Sequence, residues 1–125
     1  MTQKKQKNIG IIIGRFQIHH LHAGHLHLID RVIEASDEVL VLVGSTKGQS
    51  TEKNPLDFET RKEMILEVYP NIRIMNVDDH YSDEMWSKDI DAIIKKEYED
   101  SQITLYGSRD SFIPYYSGQF ECVKV

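Results

Sequence analysis

Five short apolar runs, separated by stretches with helical periodicity, constrain this chain more than any other feature. Ile9-Gly10-Ile11-Ile12-Ile13 stops at Gly14, Val39 to Val43 stops at Gly44, Ile72 to Val77 at Asp78, and Ile103 to Tyr106 at Gly107; Phe120 to Val125 resembles a fifth run. Runs that stay apolar, rather than alternating with polar residues, belong to strands covered on both faces. Between them the period changes. From His25, Leu26, Ile29, Val32 and Ile33 fall on one helical face, broken by Ser36 and Asp37. Met64, Ile65 and Val68 form a second stripe, with Asp57 or Thr60 as cap and Pro70 as terminator. Met85, Trp86, Ile90, Ile93 and Ile94 form a third.

Strands alternating with helices predict an α/β fold, a Rossmann-like open parallel sheet with helices on both faces. In such sheets ligands bind beyond the carboxyl ends of the strands. The unusual polar residues cluster there, after Ile13, Val43, Val77 and Tyr106. The 125 residues, 40% of them hydrophobic, fit a single domain spanning 1–125 with a real core.

The lone cysteine, Cys122, cannot form an internal disulfide and favours a reducing, cytoplasmic setting. It reads as a strand residue, not a nucleophile. No apolar run approaches a membrane span, and the basic start, with Lys4, Lys5 and Lys7, reads as a solvated leader to the first strand. A net charge of −5 argues against a general nucleic-acid binder. An acidic chain can still bind anions if it concentrates its few cations locally.

One loop does this. Gly14-Arg15-Phe16-Gln17-Ile18-His19-His20-Leu21-His22-Ala23-Gly24-His25 joins a buried strand to a helix start. The N–H groups of a helix start form an anion site. Gly14 and Gly24 let backbone approach a ligand. Arg15 can fork onto phosphate, and His22 and His25, three apart, can donate to phosphate oxygens. The set suits displacement at the α-phosphate of a nucleoside triphosphate, which needs positioning and charge neutralisation more than a covalent nucleophile. Two other readings are a metal cluster of histidines 19, 20, 22, 25 and 27, and a surface loop rich in histidine.

Gly14-Arg15-Phe16-Gln17 followed by His22-Ala23-Gly24-His25 resembles the paired signature of the HxGH nucleotidyltransferase superfamily. The GRFQ half resembles its nicotinamide-nucleotide adenylyltransferase branch, including forms fused to Nudix hydrolases. Ile18 stands where the family has proline, and the spacer before HxGH is longer by two residues. The resemblance implies a nucleotidyltransferase-type sheet with Arg15, His22, His25 and Lys53 as catalytic residues. It implies ATP binding by Gly14, Arg15, Phe16, Gln17, His22, Gly24, His25 and Lys53, with Gly107, Ser108, Arg109 and Asp110 on the nucleoside side.

Lys53-Asn54-Pro55-Leu56 and Glu59-Thr60-Arg61 resemble the family's second loop; otherwise Lys53 is an exposed lysine. Arg61 reads as structural, paired with Asp57 or Glu59 on its own helix. Asp79, Asp83 and Trp86, with Phe16, are expected to receive nicotinamide mononucleotide, the indole stacking on the pyridinium ring. Trp86 also suits the core, and Asp78 is an alternative to Asp79. Asp110 or Ser111 would equally well cap a helix start.

The implied reaction transfers the adenylyl group of ATP to nicotinamide mononucleotide, giving NAD and pyrophosphate. Magnesium enters with ATP, with no metal ligand from the protein. Expected partners are these two nucleotides, a second copy of the chain, and a Nudix domain in a longer parent. The family's later Ser/Thr-rich motif ending in arginine has no counterpart, so the chain is either truncated or completed by another subunit. Alternatives are another HxGH enzyme, such as a cytidylyltransferase, a nucleotide-binding module without turnover, or a histidine metal protein.

Overall fold

The computed structural model describes residues 6–18, 20–45, 56–108 and 111–125. The order is β1 (Asn8–Gly14), α1 (Ala23–Ala35), β2 (Glu38–Ser45), α2 (Phe58–Val68), β3 (Arg73–Asp78), α3 (Asp83–Glu97), β4 (Gln102–Gly107), a single 3₁₀ turn (Ile113–Tyr115) and β5 (Glu121–Lys124). Among the described residues, the five strands form one sheet in the order β3-β2-β1-β4-β5, with every neighbouring pair parallel. The chain steps outward from β1 through β2 to β3, then returns to the other side of β1. The order therefore reverses between β1 and β4, where open sheets of this kind hold their ligands.

Each face of the sheet has its own core. Ile9, Ile11 and Ile13 of β1, with Leu40, Leu42, Val77 and Leu105, pack against Ile90 and Ile94 of α3. Ile12 of β1, with Val39, Val41, Val43 and Ile74, packs against Leu28, Ile29 and Val32 of α1 and Ile65 of α2. Successive strand side chains point to opposite faces, so apolar runs serve both layers. Gly10 is the opening in this pattern. A Cβ there would lie 2.3 Å from Ser36 Oγ and 2.4 Å from Val32 Cγ1, so the glycine lets the end of α1 lie against β1.

The predicted elements are present with shifted ends. Asp57 caps α2, its carboxylate accepting from Thr60 N at 2.8 Å, and this holds its pKa below the ordinary value. Ile33 and Val68, expected on apolar stripes, are exposed, while Leu28 and Arg61 are buried instead. The third strand includes Asp78, in register with Ser45. Cys122 lies in β5, partly buried. Burial, then the charges of Asp91 and Glu121, push its thiol pKa up, which suits a structural residue. No helix among the described residues is long and apolar enough to cross a membrane.

Candidate active site

A cavity of about 680 Å³ opens at the carboxyl ends of β1 to β4, within the range of small-molecule sites. Gly14, Arg15 and Phe16 line it after β1, Gly44 at β2, Asp79 and His80 after β3, and Gly107 and Ser108 at β4. His25 of α1, and Asp83 and Trp86 of α3, stand on its walls as well.

The loop after β1 is shaped by its own side chains. Phe16 has a φ of 53°, in the left-handed region, a conformation that costs a bulky residue about 1–3 kcal/mol and persists only where its surroundings hold it. Its ring is buried in the core beneath α1 and α2. A Cβ on Gly14 would lie 3.0 Å from that ring, so Gly14 lets Phe16 fold back over the strand end. The Phe16 ring then sits 5.5 Å from that of His25.

His22 is the N-cap of α1, with no side-chain cap bond, and Leu26 N closes the first turn onto the His22 carbonyl at 3.1 Å. Among the described residues, the N-cap side chain leaves the first N–H groups of α1 without a cap bond. The His22 and His25 rings lie 3.8 Å apart between centroids, tilted by 49°. His25 Nδ1 is buried without a hydrogen-bond partner among the described residues. Burial first, and then the neighbouring His22, lower the His25 pKa. An anion beside this ring would act against that lowering, since an opposite charge favours the protonated form.

Arg61 is the anchor beneath the loop. It is 2% exposed. Its Nη1 donates to the carbonyls of Arg15 and Gly44 at 2.8 and 2.7 Å, its Nη2 to Ser45 Oγ at 2.7 Å, and its Nε to the Asp57 carbonyl at 3.1 Å. One guanidinium from α2 thus ties the loop after β1 to the end of β2. The structural role expected for Arg61 holds; of its expected partners Asp57 is met through its carbonyl, and the others are the Arg15 and Gly44 carbonyls and the Ser45 hydroxyl. Gln17 does related work: its amide both donates to and accepts from the Leu56 backbone at 2.9 Å. Gln17, His22 and Gly24 do not line the cavity, whereas Gly14, Arg15, Phe16, His25, Gly107 and Ser108 do. Lys53, Arg109 and Asp110 lie outside the described residues.

On the other side, Arg15 Nη2 meets Asp79 Oδ1 at 2.7 Å. Asp79, not Asp78, faces the cavity; Asp78 stays in β3 and accepts from Asn76 at 3.1 Å. Trp86 lines the cavity while packing against the core beneath α3. His80, Ser111, Phe112 and Tyr115 also line the cavity. Their signal in sequence was position alone: His80 is next to Asp79, and the other three follow the glycine that ends β4.

The model of the cytidylyltransferase-like family matches residues 11–111. The chain belongs to that family. Among cytidylyltransferase-like relatives, it is 31% identical over 112 residues to the nicotinamide/nicotinic acid mononucleotide adenylyltransferase of Acinetobacter baylyi, covering 85% of this chain and 58% of that one. It is 29% identical over 101 residues to the nicotinamide-nucleotide adenylyltransferase of Thermoplasma acidophilum, covering 77% and 55%. Among solved structures it resembles a bifunctional NMN adenylyltransferase/ADP ribose pyrophosphatase from Francisella tularensis, complexed with AMP and manganese. That match has a TM-score of 0.74 and 27% identity, covering 96% of this chain and 37% of that one. The fold is also that of a lipopolysaccharide core biosynthesis protein from Thermoplasma volcanium, at a TM-score of 0.59 and 19% identity over 95% of this chain and 96% of that one. The chain spans about half the length of the curated relatives it matches.

Proposed function

We propose that this chain transfers the adenylyl group of ATP to nicotinamide mononucleotide, releasing pyrophosphate and forming NAD. The observation that carries the reading is the composition of one cavity, in which Arg15, Phe16 and His25 stand on the same walls as Asp79, Asp83 and Trp86. The relatives named as nicotinamide-nucleotide adenylyltransferases support the choice of acceptor.

In this reading the triphosphate lies against the loop after β1 and the start of α1, with its nucleoside toward Gly107 and Ser108. Magnesium would enter as part of the nucleotide substrate and supply charge neutralisation at the triphosphate. The pyridine nucleotide lies against Trp86, whose ring stacks on the cationic pyridinium, with Asp79 and Asp83 accepting from its hydroxyl or amide groups. An oxygen of its phosphate attacks the α-phosphorus in line. The bond to the bridging oxygen breaks, and pyrophosphate leaves with that electron pair. No general base is required, because a phosphate monoester is already anionic. Arg15, His22 and His25, with Lys53, offset the charge that develops on the phosphoryl oxygens. Gln17 serves the ATP side by holding the loop's shape, and Phe16 by placing His25.

The proposal sets the reaction in the cytoplasm, where the single thiol stays reduced. It extends to a self-associating chain and to a Nudix-type hydrolase domain on a longer parent, the latter supported by the bifunctional Francisella protein. Two variants test the roles. His25→Ala should lower kcat far more than it raises the KM for nicotinamide mononucleotide, and Trp86→Ala should mainly raise that KM. Equal losses in both parameters for His25→Ala, or an unchanged KM in a folded Trp86→Ala protein, would remove those residues from their roles.

A further inference from the structure

Arg15 and Asp79 each stand where a different substrate is expected, yet they hold one another. The side chains meet at 2.7 Å while remaining 49% and 33% exposed on the cavity wall. Both backbones are pinned. The Arg15 carbonyl accepts from Arg61 Nη1 at 2.8 Å, and Asp79 N donates to the Ser45 carbonyl at 2.9 Å. The contact is therefore made by two side chains reaching from fixed points at the ends of β1 and β3, across the intervening β2. A third charge acts on it, because the buried Arg61 guanidinium repels Arg15 and attracts Asp79. The Asp79 carboxylate offsets part of the repulsion between the two arginines.

We propose that the Arg15–Asp79 ion pair couples the two halves of the site. The inference rests on the assignment of ATP and nicotinamide mononucleotide above. A triphosphate, as a stronger anion, draws Arg15 away from Asp79 and leaves that carboxylate to accept from the pyridine nucleotide. A pyridine nucleotide engaging Asp79 releases Arg15 toward phosphate. Each substrate thus removes one restraint on the other's ligand, and by linkage the effect is reciprocal. A partly exposed pair contributes modestly, so the coupling is about two- to fivefold in affinity.

The test is calorimetric titration of the whole chain with magnesium and α,β-methylene ATP, an analogue that cannot transfer its adenylyl group. Wild type, Asp79→Asn and Asp83→Asn are compared, with thermal unfolding to confirm that each is folded. Asp79→Asn should bind the analogue about two- to fivefold more tightly than wild type, and Asp83→Asn should gain less. Saturating nicotinamide mononucleotide should raise the wild-type affinity by a similar factor and leave that of Asp79→Asn unchanged. Asp79→Asn binding no more tightly overturns the proposal. So does an equal gain in Asp83→Asn, which would show a general effect of removing negative charge. Pyrophosphate release distinguishes the two levels. If wild type releases it with nicotinamide mononucleotide while Asp79→Asn binds no more tightly, the reaction stands and the coupling falls. Wild type that binds neither nucleotide loses both.

Discussion

Arg61→Met replaces a buried guanidinium with an apolar side chain of similar length. Four hydrogen bonds disappear, three of them at 2.8 Å or less to the Arg15 and Gly44 carbonyls and the Ser45 hydroxyl. Hydrogen bonds from a charged donor contribute about 1.5–3 kcal/mol each. They do not add, because the guanidinium no longer has to be stripped of water and the methionine recovers apolar contact. The oxygens left behind set the scale, since Gly44 and Val43 beside it are buried. The expected net loss is about 3–5 kcal/mol, from about 1–3 kcal/mol for each buried acceptor left without a partner. At about 4 °C per kcal/mol for a domain of this size, Tm should fall by about 12–20 °C, followed by circular dichroism. Arg61→Lys keeps the charge without the fork and should lose about half as much. A fall of less than about 4 °C for Arg61→Met would refute the idea that this side chain ties β2 to the loop after β1.

Three further outcomes follow from the same geometry. Gly10→Ala should cost about 1–3 kcal/mol in urea unfolding, because its Cβ would clash with Ser36 and Val32; a neutral result would mean that α1 can shift outward. Gln17→Leu should lower Tm by several degrees and weaken ATP binding without changing the pyridine nucleotide KM, since it loosens the loop through Leu56. His25 makes stability depend on pH. Its folded pKa lies below the ordinary value of about 6.5, so between the two the unfolded chain carries the extra proton. Stability therefore falls as pH drops from 6.5 toward the lowered value, and His25→Gln should flatten that part of the curve. Equal slopes in the two proteins would remove His25 from that dependence.

The sheet, its parallel sense and the edge that carries the cavity were legible because each depends on local pattern. Continuous apolar runs state that both faces are covered, and the stopping residues, Gly14, Gly44 and Gly107, mark the edge where the cavity opens. The HxGH and GRFQ segments were legible as a unit because they share one strand–helix junction. The work of Gln17 and Arg61 was not. Gln17 reaches a backbone group 39 residues away and Arg61 reaches one 46 and another 17 residues away, and a backbone carbonyl leaves no mark in the residue string. The choice between Asp78 and Asp79 depended on where β3 ends, and one residue of register decides which carboxylate leaves the sheet. Trp86 resisted a single reading for a physical reason: its indole is large enough to serve the core with one edge and the cavity with another.

The central claim is that one cavity joins ATP to nicotinamide mononucleotide. The most direct test is release of pyrophosphate from ATP and magnesium, measured with and without nicotinamide mononucleotide, with NAD assayed in the same samples. The account predicts release that depends on the pyridine nucleotide and is matched by NAD in equal amount. Binding of both nucleotides with no release, or release without NAD, would contradict it.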